Sequence, residues 1–289
     1  MEFQTDQYSL LNESGQLLLL YYNVTETNYC FISMPSVSKA IIPAAGLGKR
    51  MHPLSSYMSK PMLPLGRKPV LQHIIEEIRA AGVEEILILS RSEHKAIRSY
   101  FQDRSNITIE IDDSAGGPGE AILKGERFAG NGSLLSVFSD APLGGEEPEV
   151  VIKKMKELFQ QHDAEAVLSI YPVPEKEAGS RGIVKVDDLN SRRGLYRITD
   201  IIEKPGSISI SEPMASACRY LFTSRIFSAL KSANRDKNGE LQLTAGIKEL
   251  IKGGHKVLGI TLPEGITRHD TGNFKGYFRA LNSFNPAAE

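Results

Sequence analysis

From Lys39 onward, short apolar runs alternate with stretches whose apolar residues recur at helical spacing. Such a chain buries both kinds of element together only when the strands lie mostly parallel and the helices cover the sheet. "AIIPAA" (40–45), "EILILS" (85–90), "ITIEI" (107–111), "SLLSVFS" (133–139) and "EAVLSIYPV" (165–173) read as strands. Between them, "VLQHIIEEIRAAG" sets Leu71, Ile74, Ile75, Ile78 and Ala81 on one helical face and ends at Gly82, a natural C-terminal cap. Helices are also expected over "EHKAIRSYF" (93–101), "GEAILKGERF" (119–128) and "EVVIKKMKELFQQH" (149–162), the last with Val150, Ile152, Met155, Leu158 and Phe159 on its apolar face. Past Pro174 the pattern changes. "GIVKV", "LYRITDIIEK" and "ACRYLF" read as strands with no intervening helix, which predicts a small antiparallel insertion. Helix, helix, strand and helix close the chain. The expected fold is α/β, a mostly parallel sheet flanked by helices.

The charge balance excludes some partners. With 34 Lys and Arg against 35 Asp and Glu, no global field exists to hold a polyanion, so nucleic acid is not an expected partner. Cys30 and Cys218 stand far apart without a CxxC pair or histidine cluster, which argues against structural zinc and suits a reducing cytoplasm. The run "LLLLYY" (17–22) is far short of the ~20 residues that span a membrane, so neither an anchor nor a signal peptide is expected. Residues 1–37 lack the later alternation and read as a non-core extension. Residues 38–289 read as one domain, with halves at about 38–145 and 146–289.

A strand running into "AAGLGKR" places small residues where backbone can approach a ligand and N–H groups can meet an anion. A Walker loop fails on spacing, because Pro43 takes its first glycine position and Arg50 follows Lys49. A dinucleotide fingerprint fails because Met51 stands at the third glycine. The residues beyond the loop are more specific. "GLGKRM", eight residues, then "KPMLPL" resembles the signature of the sugar-1-phosphate nucleotidyltransferases, most nearly the bacterial UTP–glucose-1-phosphate uridylyltransferases. "GPGEAI", "FSDAPL", "RGIVKV", "DIIEKP", "RYLFTSRIF", "GELQLT" and "RHDTGNFKGYFRA" resemble the family's later blocks in order, over about residues 38–284.

This resemblance implies a Rossmann-like fold and in-line attack of a sugar 1-phosphate on the α-phosphorus of a nucleoside triphosphate, assisted by Mg²⁺. It implies that Ala45, Gly46 and Gly48 cradle phosphates, that Arg50 and Lys60 neutralise them, and that Gly117 lies beneath the base. Asp140 and Asp270 would hold the metal; two Asp at that separation mean nothing by spacing alone. Gly182 and Glu203 would meet the sugar, and Lys204 its phosphate. Thr244 reads as a helix N-cap. The expected assembly is a homo-oligomer, and the implied product is an NDP-sugar such as UDP-glucose.

The sequence departs from the family at informative places. Lys49 replaces a usual Thr, Glu120 a His and Cys218 a Gly. Asp112, five residues before Gly117, stands where a Gln commonly reads the pyrimidine edge. An ionised carboxylate offers acceptors only, which suits a base with two N–H donors better than uracil. Another base or sugar therefore stands as an alternative, as does a silent homologue that binds ligand without turnover.

Overall fold

The computed structural model describes residues 6–11, 17–22 and 30–33 in outline, and residues 37–114, 116–206 and 211–284 in detail. The chain divides into two compact units, Met1–Val37 and Ser38–Glu289. In the first, β1 (Asp6–Leu11), β2 (Leu17–Tyr22) and β3 (Cys30–Ser33) form an antiparallel sheet in that order. The apolar run 17–22 is thus its central strand.

The second unit alternates as expected: β4 (Lys39–Pro43), α1 (Val70–Ala80), β5 (Glu85–Ser90), α2 (Lys95–Phe101), β6 (Ile107–Ile111), α3 (Pro118–Lys124), β7 (Leu134–Val137), α4 (Val150–Gln161) and β8 (Ala166–Pro172). A hairpin of β9 (Gly182–Asn190) and β10 (Leu195–Glu203) leads to β11 (Met214–Phe222). Then come α5 (Arg225–Ser232), α6 (Leu243–Lys252), β12 (Val257–Thr261) and α7 (Phe274–Phe284). The nine strands run in the order β8-β12-β10-β9-β11-β7-β4-β5-β6, and β8 also pairs with β11. The pairs β4 with β5, β4 with β7, β5 with β6 and β8 with β12 are parallel. β11 is antiparallel to both β7 and β8, so the sheet is mixed but mostly parallel, with the hairpin as its antiparallel insertion.

Packing explains where local pattern and structure differ. The face of α1 is buried as expected, with Leu71, Ile74 and Ile78 fully enclosed. On α4, Val151 rather than Val150 faces inward, because Val151, Met155 and Phe159 recur every fourth residue and so share one side. The helix expected over 119–128 stops at Lys124: a Cβ on Gly125 would lie 1.9 Å from Ile41 Cδ1 of β4, so the chain breaks to let the strand in and resumes as a short turn at Glu126–Ala129. The stretch past Pro174 does contain one helical turn, Glu175–Ala178. Among the described residues no helix is long and apolar enough to cross a membrane.

Candidate functional site

The carboxyl ends of the parallel strands open on a cavity of about 440 Å³. One wall is the connection after β4. Its first N–H, on Ala44, donates to Leu89 O at 2.8 Å and keeps the loop on the sheet edge. Gly48 then takes a left-handed φ of 67° and starts a tight turn that buries Met51. A Cβ on Gly48 would lie 2.9 Å from Lys60 Cγ and 3.1 Å from Ser55 Cβ. Glycine here satisfies the backbone and lets the Lys60 stem cross the loop. Ala45, Gly46, Gly48, Lys49, Arg50 and Lys60 all line the cavity.

The facing wall is the segment after β7. The Ser139 hydroxyl donates to Pro43 O at 2.7 Å, binding the two strand ends together. Asp140 is next in the chain, and its Oδ2 lies 2.8 Å from Lys60 Nζ. Burial alone would raise the Asp140 carboxyl, but the bonded Lys60 ammonium, with Arg268 and Arg50 further out, holds it at about 2. Asp140 is therefore ionised at any physiological pH. Asp270 arrives from the other end of the chain, where Thr271 N–H donates to Asp140 O at 2.9 Å. Asp140 Oδ2 and Asp270 Oδ1 lie 2.9 and 3.0 Å from the point where a Cβ on Gly272 would stand, and Arg50 Nη2 is 3.1 Å from it. Two hard oxygen donors thus converge on a space kept open by a glycine. Mg²⁺ suits such a donor set, since it takes one or two carboxylates and completes its shell with phosphate oxygens and water. Among the described residues no larger cluster of His, Cys, Asp or Glu offers a rival cation cage.

Behind this wall lies a buried ion pair. Arg219 and Glu77 are almost wholly enclosed, with Nε to Oε1 at 2.9 Å and Nη2 to Oε2 at 2.6 Å. Arg219 Nη1 donates to the carbonyls of Ala141 (2.6 Å) and Ala217 (2.9 Å), so α1, β11 and the residue after Asp140 share one anchor. Arg219 is turned inward by a bulge in β11, opposite Leu168 and Ile170. Within it Cys218 takes a φ of 67°, the conformation that favours the glycine its relatives are expected to have. Burial pushes the Cys218 thiol up, leaving it neutral.

At the third side, Asp112 and Gly117 line the cavity. Asp112 is buried, and Oδ1 accepts from Ser114 N–H (3.0 Å), the Ser114 hydroxyl (2.6 Å) and the Lys124 ammonium. Its side-chain hydrogen bonds among the described residues all end on Oδ1. Gly117 opens α3 at φ 93°, and a Cβ there would lie 2.7 Å from Leu241 O. The glycine is required by close approach of the 240–241 backbone. Opposite, Gly182 pairs with Glu203 across the hairpin. Glu203 Oε1 is 3.1 Å from Lys204 Nζ, and Lys204 reaches the cavity wall. Gly182, Glu203 and Asp270 adjoin that wall rather than form it.

One residue plays a different part from that expected. Thr244 is not a cap: Gln242 precedes the helix, and Thr244 lies inside α6, where its hydroxyl donates to Glu203 Oε2 at 3.3 Å. Helical phase turns it towards the hairpin, so it orients a carboxylate. Sequence reasoning also passed over Arg91, Ser114, Phe138 and Glu240, which line the cavity, and Gly272. Each sits within or beside a recognisable block, but only the folded chain aims it at the site.

Comparison with known proteins agrees with this geometry. The nucleotidyl transferase family model matches residues 39–285. A UTP–glucose-1-phosphate uridylyltransferase of Mycoplasma pneumoniae is 31% identical over 272 residues, covering 86% of this chain and 92% of the relative. Another so named, from Bacillus subtilis, is 29% identical over 269 residues, covering 84% and 88%. A crystal structure of UDP-glucose pyrophosphorylase complexed with UDP-glucose superposes with a TM-score of 0.78 at 26% identity, covering 86% of this chain and 98% of that one. Since the match runs from the first strand of the large sheet through the last helix, taking in the loop and both aspartates, the chain belongs to the sugar-1-phosphate nucleotidyltransferases, close to the bacterial UTP–glucose-1-phosphate uridylyltransferases.

Proposed function

We propose that this protein transfers a uridylyl group from UTP to glucose 1-phosphate, giving UDP-glucose and pyrophosphate. The observation that carries the reading is the 31% identity to a relative so named, joined to a cavity whose polar walls suit the reaction. The acceptor phosphate is already ionised at neutral pH, so no general base is needed. Its oxygen bonds to the α-phosphorus, the bond to the β-phosphate oxygen breaks, and the electron pair leaves with pyrophosphate. Catalysis reduces to alignment and charge neutralisation. Arg50 and Lys60 face the triphosphate from the glycine loop; Lys204, beside Glu203, meets the sugar phosphate while Glu203 accepts from sugar hydroxyls. Asp140 and Asp270 would hold Mg²⁺, which would supply positive charge to the phosphate oxygens as the leaving group departs.

Lys60 has two partners to serve. Its ammonium bonds Asp140 in this structure, and a metal ion on Asp140 would free it for phosphate. A second reading, transfer from a triphosphate such as GTP whose base presents two N–H donors, is favoured by Asp112 at the expected base edge. The test is pyrophosphate release with four NTPs crossed with several sugar 1-phosphates, with and without Mg²⁺. Strong UTP and glucose 1-phosphate preference supports the first reading, GTP preference the second, and silence with every pair refutes both.

A further inference from the structure

Beside the two aspartates stands a set of buried donors that the proposed reaction leaves without a task. Arg268 belongs to a two-residue strand paired with Leu143–Gly144, and its side chain is only 9% exposed. Nη2 reaches the Cys218 sulfur at 3.7 Å, while Nε and Nη1 have no hydrogen-bond partner among the described residues. Arg181 approaches from the opposite side. It donates through Nη2 to Glu177 Oε2 at 2.9 Å, and its Nε is also unpartnered. Both guanidinium groups face the same oxygen, Asp270 Oδ2, Arg181 Nη1 at 3.9 Å and Arg268 Nη1 at 3.8 Å. These are charge contacts too long for hydrogen bonds. The Tyr171 ring lies under the Arg181 guanidinium, 6.0 Å from Cζ to the ring centroid, and its hydroxyl is a third buried group without a hydrogen-bond partner among the described residues.

Buried donors without acceptors cost about 1–3 kcal/mol each, more when charged. Four cations, Arg50, Lys60, Arg181 and Arg268, surround two carboxylates, Asp140 and Asp270. The ligand that such a set suits is an anion with several acceptor oxygens. Its place is given by connectivity. Arg181 precedes Gly182, which pairs with Glu203, and its carbonyl accepts Lys204 N–H at 3.0 Å. Its side chain therefore runs from the proposed sugar contacts to Asp270. A sugar held by Gly182 and Glu203 must carry its phosphate across this span to reach the triphosphate at Asp140.

We infer that Arg181 and Arg268 seat the phosphate of the sugar 1-phosphate, aligning its oxygen for attack, with Tyr171 as a further donor. The inference rests on the proposed sugar-1-phosphate transfer. Planar guanidinium forks match a phosphate dianion in two-point contact, which a lysine ammonium cannot reproduce.

The experiment is steady-state pyrophosphate release by the full chain, varying each substrate in turn, for wild type, Arg181→Gln, Arg181→Lys and Arg268→Lys. Arg181→Gln is expected to raise KM for the sugar 1-phosphate at least tenfold, with KM for the NTP within twofold. Arg181→Lys should recover only part. Inorganic phosphate should compete with the sugar 1-phosphate in wild type and at least tenfold more weakly in Arg181→Gln. Should Arg268→Lys fail to fold, Arg181→Gln decides the matter, since that side chain is 20% exposed. An unmoved acceptor KM, or an equal rise for both substrates, overturns the seat while the transfer reading survives. Wild-type protein that releases pyrophosphate with no acceptor overturns both.

Discussion

Replacing Asp140 by asparagine removes one charge and almost no volume, so its consequences can be worked from the surroundings of that carboxyl. The fall from the usual 3.8 to about 2 corresponds to about 2 kcal/mol of stability at neutral pH. Both partners are mostly shielded, Lys60 14% and Asp140 22% exposed, so screening removes little of it. Because the folded-state value is depressed, the contribution is complete above about pH 5 and is lost as pH falls through 3.8 towards 2. The metal-free Asp140→Asn protein should therefore be less stable than wild type by about 2 kcal/mol at pH 7, with Lys60, Arg50 and Arg268 left facing a neutral amide. The deficit should be about half as large at pH 3. Urea unfolding midpoints at pH 7, 5 and 3 measure it. With Mg²⁺ present, kcat for pyrophosphate release should fall at least about a hundredfold, because the lost charge is also the proposed metal ligand. A variant as stable as wild type at pH 7, or a deficit unchanged at pH 3, would refute the electrostatic argument. A kcat within a few-fold of wild type would remove Asp140 from the reaction.

Gly272→Ala puts a methyl group within 3.1 Å of Asp140, Asp270 and Arg50; kcat should fall at least about tenfold while the urea midpoint changes by less than about 1 kcal/mol equivalent, since flexible side-chain ends can yield. Removing residues 1–37 should leave an active, soluble protein, because every proposed site residue lies in the second compact unit; a collapsed melting temperature would make the first unit part of the fold. Asp112→Gln should raise the preference for UTP over GTP in kcat/KM by about tenfold, the equivalent of about 1.4 kcal/mol, because an amide restores a donor at the base edge. An unchanged preference would remove Asp112 from base recognition.

The parallel half of the fold was legible because its strands are continuous apolar runs and α1 carries its buried face at regular spacing. Of the candidate site, ordered motifs named segments that the fold brings to one cavity: the glycine loop, the strand-end Asp140 and the hairpin-end Lys204 line it. What escaped was set by neighbours distant in sequence. Gly125 ends a helix because Ile41 of β4 presses against it, and nothing near residue 125 announces that contact. Thr244 looked like a cap because it stands at the start of an apolar periodic run, yet the helix begins one residue earlier and turns its hydroxyl to Glu203. Arg181 and Arg268 were in view as residues, but that Arg181 Nε and Arg268 Nε and Nη1 are left without acceptors is a property of a packed interior.

The bulge at Cys218 shows how the fold imposes a cost close to the site. A non-glycine residue at φ 67° is strained by roughly 1 kcal/mol or more, and the neighbouring Arg219 is a charge with no exposure to water. Replacing a buried ion pair by apolar residues is often neutral or stabilising, so stability alone is a poor account of Arg219 and Glu77. Their geometry gives a better one. The bulge rotates Arg219 away from the alternation of β11 and under the cavity, where one guanidinium grips the α1 carboxylate with two nitrogens and the Ala141 carbonyl with the third. Ala141 comes directly after Asp140, and the Asp140 carbonyl in turn accepts from Thr271 N–H and hydroxyl. The peptide that carries the first aspartate is thus fixed from below by Arg219 and from the side by the segment that carries the second. Two carboxylates from opposite ends of the domain stay close without a direct bond between them, and mutual repulsion is offset by Lys60 and the surrounding arginines. A glycine at 218 would relieve the backbone while leaving that anchor in place, whereas loss of Arg219 would strand the Glu77 charge and free the Ala141 carbonyl.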